Sequence, residues 1–98
     1  MCGIVCYTGR LNAREVIMDG LERLEYRGYD SAGISLIDHG QIKTVKKSGK
    51  VKVLKDELSK NPIEGNIGIG HIRWATHGGP SDINSHPHLS NNGKISVV

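Results

Sequence analysis

Short apolar runs separated by polar turns, together with two stretches of helical spacing, set the pattern of this chain. Gly3–Thr8 is apolar and β-branched, which suits a strand, and apolar side chains on both of its faces predict a position inside a sheet. Asn12 is placed to cap a helix running to about Glu25. Val16, Ile17, Leu21 and Leu24 recur on one face of it, while Arg14, Glu15, Glu22 and Arg23 fall largely elsewhere, and Gly28 is expected to end it. Residues 31–37 and 41–46 read as two strands joined by a hairpin at Asp38, His39 and Gly40. Val51, Leu54 and Leu58 space a second amphipathic helix, closed by Asn61 and Pro62; residues 67–74 read as a further strand, and residues 95–98 begin another. A connection as short as His39–Gly40 joins only antiparallel neighbours, since parallel strands need a crossover of about a dozen residues or more. The pattern therefore predicts an α+β fold: antiparallel strands with both helices packed on one outer face.

Residues 78–93 break this pattern. They are rich in Gly, Pro, Ser, Asn and His, without periodicity and between two predicted strands. Loops of that length inside a compact domain are uncommon and usually functional, and two spaced histidines favour a functional one here. There is no internal repeat and no low-complexity tract.

Composition narrows the class. The 98 residues suit one small domain or part of a larger one, and the net charge of +3 is mild. Lys43, Lys46, Lys47, Lys50, Lys52 and Lys55 form a basic stretch, but no aromatic residues interleave with them and Asp56 and Glu57 follow at once. They read as a solvated face rather than a nucleic-acid surface. The run from Gly3 to Tyr7 is too short for a signal peptide or a membrane span. On one extended strand Cys2 and Cys6 would lie roughly 13 Å apart, beyond the reach of a disulfide. The expected setting is a reducing cytoplasm, with no membrane and no nucleic-acid partner.

Candidate chemistry starts at Cys2. Removal of Met1 would leave one residue carrying both a thiol and a free α-amine. The thiolate is a nucleophile, and an α-amine with a pKa of about 7.7–8.0 is a base suited to neutral pH. Gly3 allows close approach to that nucleophile. Two further segments draw attention: residues 26–33 (YRGYDSAG), between the first helix and a strand, and residues 71–78 (HIRWATHG), where a strand gives way to a loop. An arginine at such a strand end, Arg73, can grip a carboxylate with two parallel hydrogen bonds. Thr76 and the backbone amides after it can complete a small-anion cradle, while Trp74 divides between core packing and a role at the site.

Taken together, the opening Cys-Gly-Ile-Val, YRGYDSAG, HIRWATHG and residues 84–88 (NSHPH) resemble the class II, N-terminal-nucleophile glutamine amidotransferases. Within them they are similar to the branch that moves nitrogen from glutamine to fructose 6-phosphate, making glucosamine 6-phosphate for hexosamine synthesis. Phosphoribosylpyrophosphate amidotransferases read more like HRGQDAAG at the second segment, and asparagine synthetases more like HRGPDE. The resemblance extends over all 98 residues and implies the N-terminal portion of a glutaminase domain, part of an αββα sandwich of antiparallel sheets. It implies Cys2 as the nucleophile with its own α-amine as base, and Arg73, Thr76 and the His77 backbone as the groups that bind glutamine. Trp74 would lie where ammonia leaves, with Arg27 and Tyr29 at a mobile rim. It implies no cofactor and no metal, fructose 6-phosphate bound through a separate isomerase domain, and a homodimer at full length. Cys6 departs from the family, which usually has glycine there, and reads as a packing variant. The His-Asn-Gly that stabilises the oxyanion is expected to follow Val98, with an amine-binding aspartate further on, so residues 1–98 alone are expected to be inactive.

Two rival classes compete. His71, His77, His86 and His88 offer imidazoles for a metal-binding module, with His86 and His88 projecting to one side of an extended segment, although no acidic residue stands at a ligand spacing. A basic RNA-binding module is the weaker rival and predicts steeply salt-dependent affinity. The glutaminase domain of another class II amidotransferase is the alternative within the family.

Overall fold

A computed structural model of the chain describes residues 2–27, 30–74 and 79–98, and of Arg27 the backbone alone. Strand β1 (Gly3–Thr8) leads into helix α1 (Ala13–Leu24) and a 3₁₀ turn (Glu25–Arg27); the hairpin of β2 (Ser31–Asp38) and β3 (Gln41–Ser48) follows, then helix α2 (Val51–Lys60) and strand β4 (Ile67–Arg73). Two short strands, β5 (His88–Leu89) and β6 (Ser96–Val97), complete the order. The main sheet runs β1-β4-β2-β3 with every pair antiparallel, and β5 and β6 form a separate antiparallel ribbon. The α+β class and the antiparallel pairing expected from the sequence are both observed.

Local chemistry accounts for the elements. The Asn12 side chain accepts the Arg14 N–H at 3.1 Å, an N-cap bond, and its amide donates to Glu64, which also pairs with Arg14 at 3.0 Å. His39 and Gly40 both take positive φ, 50° and 78°, as a two-residue turn matched to strand twist requires. Val51, Leu54 and Leu58 are the buried residues of α2, as their spacing predicts. Helix α1 ends at Leu24 with Glu25 as its C-cap, as expected, and Gly28, its expected terminator, lies outside the described residues.

Both helices lie on one face of the main sheet, α1 across β1 and β4 and α2 against β3 and β2. The core between them contains Ala13, Ile17, Met18, Leu21, Ala32, Ile34, Leu36, Val51, Leu54, Leu58 and Ile72. Each fully buried Ile or Leu contributes on the order of 1.5–3 kcal/mol. Glycines let the layers meet: a Cβ at Gly70 would come within 2.3 Å of Ile17, and one at Gly68 within 2.9 Å of the same side chain. The stripe on α1 is rotated from the expected one. Met18 and Ala13 are buried while Val16 is half-buried, because α2 packs beside α1 and covers the Met18 side; Met18 and Leu58 line the groove between the helices.

The expectation that β1 lies inside a sheet is not met. Among the described residues β1 pairs only with β4 and forms one edge. Val5 and Tyr7 pack against the core, whereas Ile4 is 55% exposed. Apolar side chains report what covers the two faces of a strand, and neighbouring strands are chosen by the backbone at its edges, which side chains do not reveal.

Described residues 79–93 are less irregular than their composition suggests. Ser81 organises a turn, its carbonyl accepting Ser85 N–H at 3.1 Å and Ser85 Oγ at 2.7 Å, and its hydroxyl accepting Asn84 N–H at 3.1 Å. The chain then enters the β5–β6 ribbon. Both lie on the sheet face opposite the helices: a Cβ at Gly33 would come within 2.0 Å of the His86 carbonyl oxygen, and Ser96 Oγ is 2.8 Å from Ser35 Oγ. Among the described residues no helix is long and apolar enough to cross a membrane.

Candidate active site

Strand alternation sorts the side chains. Gly3, Val5, Gly68, Gly70, Ile72, Ala32, Ile34 and Leu36 point toward the helices, so Cys2, Ile4 and Cys6, His71 and Arg73, and Ser31, Gly33 and Ser35 share the opposite face. Register then fixes their rows. Arg73 pairs with Ser31, and the β1–β4 register continued by one residue sets Cys2 opposite Arg73. The next row is Ile4, His71 and Gly33, and the row after it Cys6, Ile69 and Ser35.

Cys2 is exposed, and its thiol sits against the backbone just past β4. Sγ accepts the Trp74 N–H at 3.4 Å and lies 3.9 Å from the Trp74 carbonyl. Arg73 is only 8% exposed. Its Nη1 lies 3.9 Å from Asp30 Oδ1, and the Asp30 N–H donates to the Arg73 carbonyl at 2.8 Å. The Trp74 side chain is exposed rather than packed in the core. Thr76, His77 and Tyr29 lie outside the described residues, as does the side chain of Arg27. The structure thus brings Cys2, Arg73 and Trp74 together, and places Cys6 two rows away from Cys2.

A feature the sequence did not disclose lies under the loop. His71 stacks on His86 with ring centroids 4.3 Å apart and planes inclined by 27°, and His86 meets His88 edge-on at 4.5 Å. The stack covers the sheet beside Arg73. Burial, then the neighbouring His86, Arg73 and His88, pushes the His71 pKa down to about 4. Burial also lowers His86 and His88, helped by Arg73 and Lys46. At neutral pH these rings are uncharged, and Arg73 and Lys46 supply the positive charge there. Nearly parallel rings direct their in-plane nitrogen lone pairs alongside one another rather than toward a common centre, which does not suit shared coordination of one ion by His71 and His86. Among the described residues no group of three or more potential ligands is arranged to hold a metal ion. Two signals in the sequence pointed here: His71 falls two residues before Arg73 and so shares its face, and His86 and His88 stand two apart on an extended segment.

A stability prediction follows from His71. Its folded pKa lies below the ordinary value of about 6.5, so the unfolded chain binds more protons between the two values. Stability should be fully present above pH 6.5 and decline as pH falls through the window toward about 4. Urea unfolding of wild type and His71→Phe across that range checks this, and the acid slope should be shallower in the variant.

No protein-family model matches the chain. Curated relatives do. The chain is 56% identical over 98 residues to the glutamine–fructose-6-phosphate aminotransferase (isomerizing) of Clostridium perfringens, 54% to that of Thermus thermophilus and 57% to that of Caldanaerobacter subterraneus subsp. tengcongensis. Over its whole length the chain is similar to members of this family. Each match covers all of the chain and 16% of the relative, so the chain spans about one sixth of the length of the proteins it matches. The family bears out the resemblance carried by Cys2 to Val5, YRGYDSAG, HIRWATHG and NSHPH.

Proposed function

We propose that this chain is the N-terminal portion of a glutaminase domain, in which Cys2 attacks the side-chain amide of glutamine. The observation that carries the reading is the row formed by Cys2 and Arg73, a nucleophile beside a buried cation on the sheet face away from the helices. Loss of Met1 exposes the Cys2 α-amine, which takes the thiol proton. Sulfur bonds to the amide carbon, the C–N bond breaks, and the protonated nitrogen leaves as ammonia. Water then hydrolyses the γ-glutamyl thioester to glutamate and restores the thiol. The Arg73 guanidinium binds the glutamine α-carboxylate in a bidentate pair, with Thr76 and the His77 backbone assisting. The exposed Trp74 indole is assigned to the ammonia exit, and the resemblance assigns Arg27 and Tyr29 to the rim. In the whole protein the ammonia passes to fructose 6-phosphate on an isomerase domain, as the names of the relatives suggest. Two free, exposed thiols support a reducing, cytoplasmic setting.

The glutamine analogue 6-diazo-5-oxo-norleucine tests this reading. Incubated with the processed full-length protein, it should alkylate Cys2 and leave Cys6 unmodified, with ammonia release lost in step. An adduct on Cys6, or inactivation without modification of Cys2, would overturn the assignment.

A further inference from the structure

Asp30 stands where β2 begins, one residue before the Ser31 that pairs with Arg73. Its main chain is held on both sides: its N–H donates to the Arg73 carbonyl at 2.8 Å, and its carbonyl accepts the Gly49 N–H at 2.7 Å. Any residue at this position makes those two bonds. What the aspartate adds is charge, and its Oδ1 lies 3.9 Å from Arg73 Nη1 with the two side chains only 18% and 9% exposed. That separation is an ion pair but lies beyond hydrogen-bond range. The neighbouring histidines, lysine and second aspartate do not compete for this role. His71 and His86 are neutral imidazoles and Lys46 is cationic, while Asp82 is engaged by Ser48 N–H at 2.7 Å and Lys47 Nζ at 3.3 Å.

We infer that Asp30 is a positioning residue for glutamine binding, its carboxylate holding the Arg73 guanidinium in the orientation that receives the α-carboxylate of the substrate. The inference rests on the glutaminase reading above. A desolvated guanidinium without a fixed counter-charge rotates toward whatever acceptor is nearest, and a bidentate pair with substrate demands one orientation. The pair acts on binding, before any bond to sulfur forms, so its loss should appear in KM rather than in kcat.

The test compares Asp30→Asn and Asp30→Glu with wild type in the full-length protein, measuring ammonia release against glutamine concentration and the melting temperature of each. Asn preserves shape and both backbone bonds but removes the charge. Asp30→Asn should raise KM about tenfold, between the small effects of exposed ion pairs and the large ones of buried pairs, with kcat held within about threefold and the melting temperature little changed. Asp30→Glu, which restores the charge on a longer arm, should recover most of the KM. An unchanged KM in Asp30→Asn overturns the inference, and so does a Glu variant no better than Asn. A large drop in melting temperature with unaltered KM in the folded enzyme overturns it as well, making Asp30 structural. Wild-type protein that releases no ammonia would instead remove the glutaminase reading on which the inference stands.

Discussion

Ammonia release from glutamine should fall on the order of 10⁶-fold when Cys2 is replaced by alanine in the full-length protein, the scale seen when a covalent nucleophile is deleted from a hydrolase. The size of the loss follows from Cys2 holding two roles, since its sulfur forms the thioester and its amine accepts the proton. Alanine keeps the amine and removes the sulfur, which isolates the nucleophile. Cys6→Ala provides the control. Cys6 lies four residue pairs along the β1–β4 register from Cys2, opposite Ile69, so its replacement should leave the rate within about twofold, as for a surface site away from the chemistry. Initial rates at saturating glutamine decide the matter. Substantial activity in Cys2→Ala, or its loss in Cys6→Ala alone, would transfer the chemistry to the wrong thiol for this proposal.

Glutamine affinity should drop by about 2–5 kcal/mol in Arg73→Ala, equivalent to a roughly 30- to 4,000-fold rise in KM, because the carboxylate pair forms at a residue already withdrawn from water. Arg73→Lys should fall between alanine and wild type. It keeps the charge and loses the planar fork, so one of the two parallel hydrogen bonds cannot form. Removing Arg73 also leaves Asp30, its neighbour at 3.9 Å, facing a cavity without that cation, so some loss of thermal stability should accompany the loss of affinity in the alanine variant. Titration with glutamine, read by ammonia release and paired with a thermal melt, separates the two effects. Equal KM values in wild type and both variants would mean that Arg73 serves only the fold.

What the sequence determined by itself was local. The Asn12 cap, the helical spacing of Val51, Leu54 and Leu58, and the His39–Gly40 turn could each be read from a few adjacent residues, since each depends on interactions within one or two turns of chain. The motifs around Cys2 and Arg73 were legible in the same way, as residue types at fixed spacing. Tertiary structure decided what pairing across long separations decides. It put β1 at an edge, brought Cys2 beside an arginine 71 positions further along the chain, and laid His86 on His71 across Gly33. Hydrophobic periodicity records which face of an element is buried, but the order of strands, their register and the loop that returns over them are set by backbone hydrogen bonds and close packing between distant segments, which leave no periodic mark in the chain.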